Sequence, residues 1–342
     1  MTNSDQMQEL YARFEEAGIS REYIRDFVLP DWWDDEIADN PGGYLEGLTF
    51  IAKHLGIDLE TLRNTGSSLS ARTAAEARFK LRADIDSNDV NWAQSVSVRA
   101  AEMAAHATTV PLRLTSDLDA ASVRQHILEQ DTKWVDLDSL LKYCWKAGVP
   151  VLHLPEVPGQ KMDGMAVKAG DRPVIVVSMN HKHEAWLLFI LAHEMGHVLA
   201  GHLDSEEAVV DTEYDPEPAD EREIEANRIA VELITGDPDF EANLERYVKA
   251  PDLAEKVKNF GKSENVSPGA VILNVAYYDS GDPWGLANAT LNELHPDPDA
   301  PEIIRARIRK HLDWNNLPDE SAAFLARVTG VDSISEPAAA VG

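Results

Sequence analysis

Apolar residues recur at helical spacing from Leu45 to Leu55. Gly56 can stop that helix, and Asp58 can cap a short one over Leu59–Arg63. Together they predict a helix-turn-helix-like core, Ile51 to Leu62, within a helical region 1–70. Gly66-Ser67-Ser68-Leu69-Ser70 reads as a linker. Ala74 to Ala107 is alanine-rich and predicts two helices broken near Asn88, and Asp136 to Ala147 predicts an amphipathic one. The period then changes. Val149–Leu154, Met165–Val167 and Pro173–Ser178 read as strands, with a turn over Gln160–Gly164. Asn180 is a candidate cap for a long helix from about His183 to Gly201. A second helix, Ala219 to Ile234, stops at Thr235-Gly236-Asp237-Pro238. Residues 251–331 read as further helices and loops, and 333–342 as a disordered tail. The fold class expected is α+β, a small sheet and long helix flanked by mainly helical regions. The expected domains are 1–70, 71–250 and 251–342.

Charge narrows the partners. The formal net charge is −29, and residues 1–70 hold 14 acids against 5 Lys or Arg. Such a field repels phosphate backbones, so no direct nucleic-acid binding is expected. An acidic surface suits a basic protein partner; the plainer alternative is that it maintains solubility. Arg305, Arg307, Arg309 and Lys310 form the one dense basic cluster, expected to pair with acidic neighbours. The longest apolar run, Ala185–Ala192, is too short to span a bilayer. The polar stretch Met1–Leu10 and the single cysteine, Cys144, predict a cytoplasmic protein. Cys144 itself reads as a small core residue. The Asp31-Trp32-Trp33-Asp34-Asp35 run is either an interaction surface or tryptophans packed under acidic flanks.

The chemistry lies in His193-Glu194-Met195-Gly196-His197. Four residues apart on a helix, the two imidazoles share one face and can grip one zinc ion. Glu194 projects beside the metal, where a carboxylate can take a proton from an activated water. A catalytic zinc wants a third protein ligand and one open position. His202 falls one short of the ten-residue spacing used by metzincins, and Leu203 stands at that place. Glu223 and Glu225, on the second helix, are the better candidates. His181 and His183 read as a solvated helix start. Tyr214, Arg222 and His202 are eligible by proximity as oxyanion donors.

Phe189 to His197, followed by Glu223-Ile224-Glu225-Ala226-Asn227-Arg228-Ile229-Ala230, resembles the paired motif of the ImmA/IrrE metallopeptidases. The preceding strands match that family's layout, and the resemblance covers roughly residues 130–235. It implies a zincin-like core with His193, His197 and Glu223 as metal ligands and Glu194 as general base. Glu225 and Asn227 become supporting residues. Zinc is the expected metal, and manganese suits the same donors. The implied activity is that of a metallo-endopeptidase with a narrow protein target, often a helix-turn-helix repressor. Pro173–Ser178 is the candidate edge strand for holding an extended substrate segment. Cleavage would regulate transcription in stress response, mobile-element induction or toxin–antitoxin control. Two alternatives stay open: a zinc-containing regulatory or protein-binding module, toxin–antitoxin or phage-related, without proteolysis, and a DNA-binding regulator.

Overall fold

A computed structural model describes residues 3–64, 66, 69, 92–115, 117–159, 162–204, 208–211, 220–242, 244, 249–279 and 283–331. The chain divides into two compact units. One combines Met1–Thr108, Leu154–Met162 and Leu312–Gly342, and the other Thr109–His153 and Asp163–His311.

The first unit is helical: α1 (Asn3–Glu16), α2 (Pro41–Leu55), α3 (Leu59–Arg63), α4 (Trp92–Ala107) and the C-terminal helix Asp319–Thr329. The expected punctuation is present. Gly56, at φ 72°, closes α2, and the Asp58 side chain accepts from the Glu60 N–H to open α3. The Trp-Trp run is divided in two. Trp33 is buried against Gly47, whereas Trp32 is 55% exposed. Asp35 is held by Tyr11, Arg21 and Arg25. The predicted break near Asn88 lies outside the described residues, as does most of the predicted linker.

The second unit carries the sheet. In chain order it runs α5 (Ala120–Leu128), α6 (Leu137–Ala147), β1 (Val151–His153), β2 (Gly164–Ala169), β3 (Arg172–Val177), α7 (Glu184–Leu199), β4 (Ala208–Asp211) and α8 (Glu221–Thr235). Four helices follow: α9 (Ala250–Glu264), α10 (Pro268–Tyr278), α11 (Pro283–Leu294) and α12 (Ala300–His311). Asp136 opens α6 with a capping box shared with Ser139, and Gly148, at φ 79°, ends it.

The strand order is β1-β3-β2-β4. β1 runs parallel to β3 (Val151 opposite Ile175), and β2 is antiparallel to both β3 and β4. Pro173 is tolerated in an interior strand for a local reason. The Ile175 N–H points to β1, so the nitrogen two residues earlier faces the same side, beyond the end of β1. This topology corrects one expectation. Pro173–Ser178 is not an edge strand, because β3 is paired on both sides. The edge beside β2 is β4.

α7 lies between the sheet and α8 and also packs on α6 and α10. That explains its nearly continuous apolar sequence: a helix packed on most sides has little wet face to make polar. Its start also differs from expectation. The N-cap is His183, without a side-chain cap bond, and not Asn180. His183 is buried, not solvated, and burial pushes its pKa down to about 4. His181 is half-buried. Helices α9–α11 form a second apolar cluster around Leu253, Val257, Val271, Ile272 and Leu291, which reaches Ala185 of α7. On α12 the three arginines of the basic cluster are paired as expected: Arg305 and Arg309 with Glu302, and Arg307 with Asp138. Cys144 is fully buried, and desolvation raises its thiol to about 12, so it is a core residue. No helix among the described residues is long and apolar enough to cross a membrane.

Candidate metal centre

Two helices bring the site together. Residues four apart on α7 present His193 and His197 with ring centroids 4.8 Å apart and Nε2 atoms 3.0 Å apart. α8 opens on Asp220, whose side chain accepts from the Arg222 N–H. Its first turn delivers Glu223. That carboxylate lies 3.2 Å from Nε2 of His193 through Oε2, and 3.5 Å from Nε2 of His197 through Oε1. Both histidines are buried and Glu223 is partly exposed, so the cluster is open on one side.

The far side of each imidazole fixes its tautomer. Nδ1 of His193 lies 2.9 Å from Oδ1 of Asn227, an acceptor, so that nitrogen carries the proton. Nδ1 of His197 lies 2.8 Å from Nδ1 of His202, and Nε2 of His202 lies 3.2 Å from Oε2 of Glu225. One assignment satisfies the whole chain. His202 donates to Glu225, and His197 donates to His202. Both Nε2 atoms then turn lone pairs toward the Glu223 carboxylate.

Three acceptors converging at 3.0–3.5 Å repel one another unless a cation lies among them. The spacing suits one. Bonds of about 2.0–2.1 Å in a tetrahedral arrangement put ligand atoms roughly 3.3–3.4 Å apart. The donor set, its spacing and its hydrogen-bonded backing all fit a metal ion.

Glu194, next to His193 on α7, is fully buried with its carboxylate against Gly164 of the sheet. Gly164, the first residue of β2, makes its room. A Cβ there would collide with Oε1 of Glu194 and come within 2.9 Å of its Cδ and of Ile190 Cγ2. If this carboxylate serves a metal-dependent reaction, Gly164→Ala is expected to leave metal binding intact but to lower turnover roughly 10²-fold, because a misplacement near 1 Å is enough for that. Metal content by atomic emission and turnover, measured on one preparation, check this; parent-like turnover would refute it.

A second glycine sets the distance between the helices. A Cβ on Gly196 would lie 2.7 Å from the Ala226 carbonyl oxygen and 3.1 Å from its Cα. Gly196 and Ala226 thus let α7 and α8 approach closely enough for Glu223 to reach both histidines. The motifs contain these small residues, but their mutual contact is not visible in a linear sequence.

The remaining candidates are also placed. Glu225 lies beside His202, outside the ligand cluster, and His202 lies on the Nδ1 side of His197, away from it. Arg222 is bonded to Asp220. Tyr214 and the acidic loop near it lie outside the described residues.

A family model for the IrrE N-terminal-like domain, Peptidase_M78, matches residues 144–267. No curated protein and no solved structure matches the chain. The matched span runs from the end of α6 through the sheet and both site helices to α9. Over these residues the chain therefore carries a domain similar to the IrrE N-terminal-like peptidase domain.

Proposed function

We propose that the protein is a zinc-dependent endopeptidase that cuts one specific protein target. His193, His197 and Glu223 are its metal ligands and Glu194 its general base. The observation that carries the reading is the convergence of two imidazole nitrogens and a carboxylate, with a second carboxylate buried at the residue that follows His193. Zinc held there supplies Lewis-acid chemistry, polarising the scissile carbonyl and making a water more acidic; manganese suits the same donors. Glu194 takes the water's proton and returns it to the leaving amine nitrogen. Asn227 holds the ring of His193, while His202 and Glu225 hold that of His197, fixing both tautomers. An extended substrate segment adds to β4, whose Asp211 end lies opposite Gly164 and so close to Glu194.

The target we assign is a helix-turn-helix repressor in the cytoplasm, cut to relieve repression. The family resemblance supports this, and so does charge: a chain at −29 attracts DNA-binding proteins, which carry clustered Lys and Arg. The test uses purified helix-turn-helix repressors from the same genome. Incubation with the zinc-loaded protein should give one discrete cut in one of them. A chelator should abolish it, and added zinc should restore it. Stoichiometric zinc with no cleavage of any repressor would overturn the reading in favour of a zinc-containing regulatory module.

A further inference from the structure

A pocket of about 430 Å³ opens between α7, α8, α10 and α11. It adjoins the metal centre through two shared residues. Asn227 lines it and also accepts the hydrogen bond from His193. Phe189 lines it one helical turn before His193, with ring centroids 6.5 Å apart. The other walls are strongly apolar and aromatic. Val231 and Leu273 face it from α8 and α10, and the Trp186 and Trp284 rings lie 5.3 Å apart beside it. Trp284 stays 38% exposed, a cost that an occupant would relieve. The charges at the rim, Arg228 and Asp239, pair with each other at 3.4 Å, so the pocket presents little net charge.

We propose that this pocket receives an aromatic or large aliphatic side chain of the substrate, at a position directly flanking the scissile bond. It thereby sets the cleavage preference of the peptidase. The inference rests on the peptidase reading above and adds the chemistry that selects the cut. Three observations lead to it. Three of its lining residues stand next to the metal cluster: Asn227 is bonded to His193, Phe189 lies one turn before His193, and Ile224 follows Glu223, so a side chain flanking the scissile bond has the pocket within reach. Its volume lies low in the range of ligand pockets, roughly 300–1,000 Å³, which suits one or two side chains and not a folded element. Its lining rewards apolar surface and offers no unpaired rim charge to a polar side chain.

The test compares two probes, alanine hydroxamate and phenylalanine hydroxamate, on the zinc-loaded protein by titration calorimetry. Burying the benzyl group should make the phenylalanine probe roughly tenfold tighter or more. Val231→Trp fills the pocket and should bring the two probes within about twofold. Trp284→Ala, at a partly exposed position that tolerates truncation, should reduce the preference to about threefold. Equal binding of the probes by the parent chain overturns the pocket assignment, as does an unchanged preference in both variants. If neither probe binds the zinc-loaded parent, the peptidase reading itself fails, which is a separable result. A cleavage profile on a proteome-derived peptide mixture gives a second readout. The parent should favour Phe, Tyr, Trp or Leu at one flanking position, and Val231→Trp should shift that preference to Ala or Ser; a flat parent profile counts against the proposal.

Discussion

Replacing Glu194 with Gln should lower hydrolysis by about 10²–10⁴-fold, the usual contribution of a positioned general base, with no loss of bound metal. The two side chains have nearly the same shape. The amide therefore fits the space that Gly164 leaves and does not disturb Ile190. What it lacks is a basic oxygen able to accept the water's proton at neutral pH. Nothing in the ligand cluster changes, since His193, His197 and Glu223 converge without help from residue 194. Metal content and turnover measured on the same preparation separate the two roles. A Glu194→Gln protein as active as its parent would remove Glu194 from the mechanism. One that also lost its metal would show that the residue belongs to the ligand set.

Gly196→Ala is the second large effect, and it opposes a local preference. Alanine improves helix propensity by about 1 kcal/mol over glycine, so an isolated α7 would gain. In the protein the added methyl group meets the Ala226 carbonyl oxygen, at 2.7 Å, and Cα, at 3.1 Å. These are backbone atoms of α8 and cannot swing aside as a side-chain tip can. The helices must separate, and overpacking of this kind costs roughly 1–3 kcal/mol. Glu223 lies three residues before Ala226 and moves with it, away from nitrogens now 3.2 and 3.5 Å distant. The expected result is a lower melting temperature and a much smaller rise on adding zinc than the parent shows. A parent-like zinc response in Gly196→Ala would mean that this contact does not control the metal centre.

The parts of this structure that are legible in the sequence are those whose cause is local. Gly56 and Gly236 adopt positive φ at helix ends, and Asp58 accepts from a nearby N–H group. Each needs only its neighbours. The facing of His193 and His197 is equally local, because helix pitch alone brings positions four apart to one side. The paired motif extends this to Glu223, which stands in the same cluster. What is not legible depends on distant partners. Pro173–Ser178 reads as a strand, but its interior position depends on β1 joining it from the other side. His183 looks like a polar helix start until the surrounding packing buries it. Gly164 and Gly196 look like ordinary glycines until a Cβ is placed on them. His202 falls one residue short of the metzincin spacing and is eligible by proximity as an oxyanion donor, whereas its place is between His197 and Glu225. The two compact units join separated stretches of chain, and composition shifts along a line carry no record of such returns.

The deep burial of most of α7 has a consequence for portability. Residues 184–199 contain the whole HExxH sequence, yet as a free peptide they would have no stable shape in which to use it. A helix of 16 residues is marginal alone in water. This one also lacks the polar flank that keeps a free helix dissolved, because the sheet and α8 cover what would otherwise be its outer surface. Grafted onto the surface of another protein, the segment would carry its two histidines but neither Glu223 nor the groups that fix their protons. A transplant that preserved the chemistry would have to move β2, α7, His202 and α8 together.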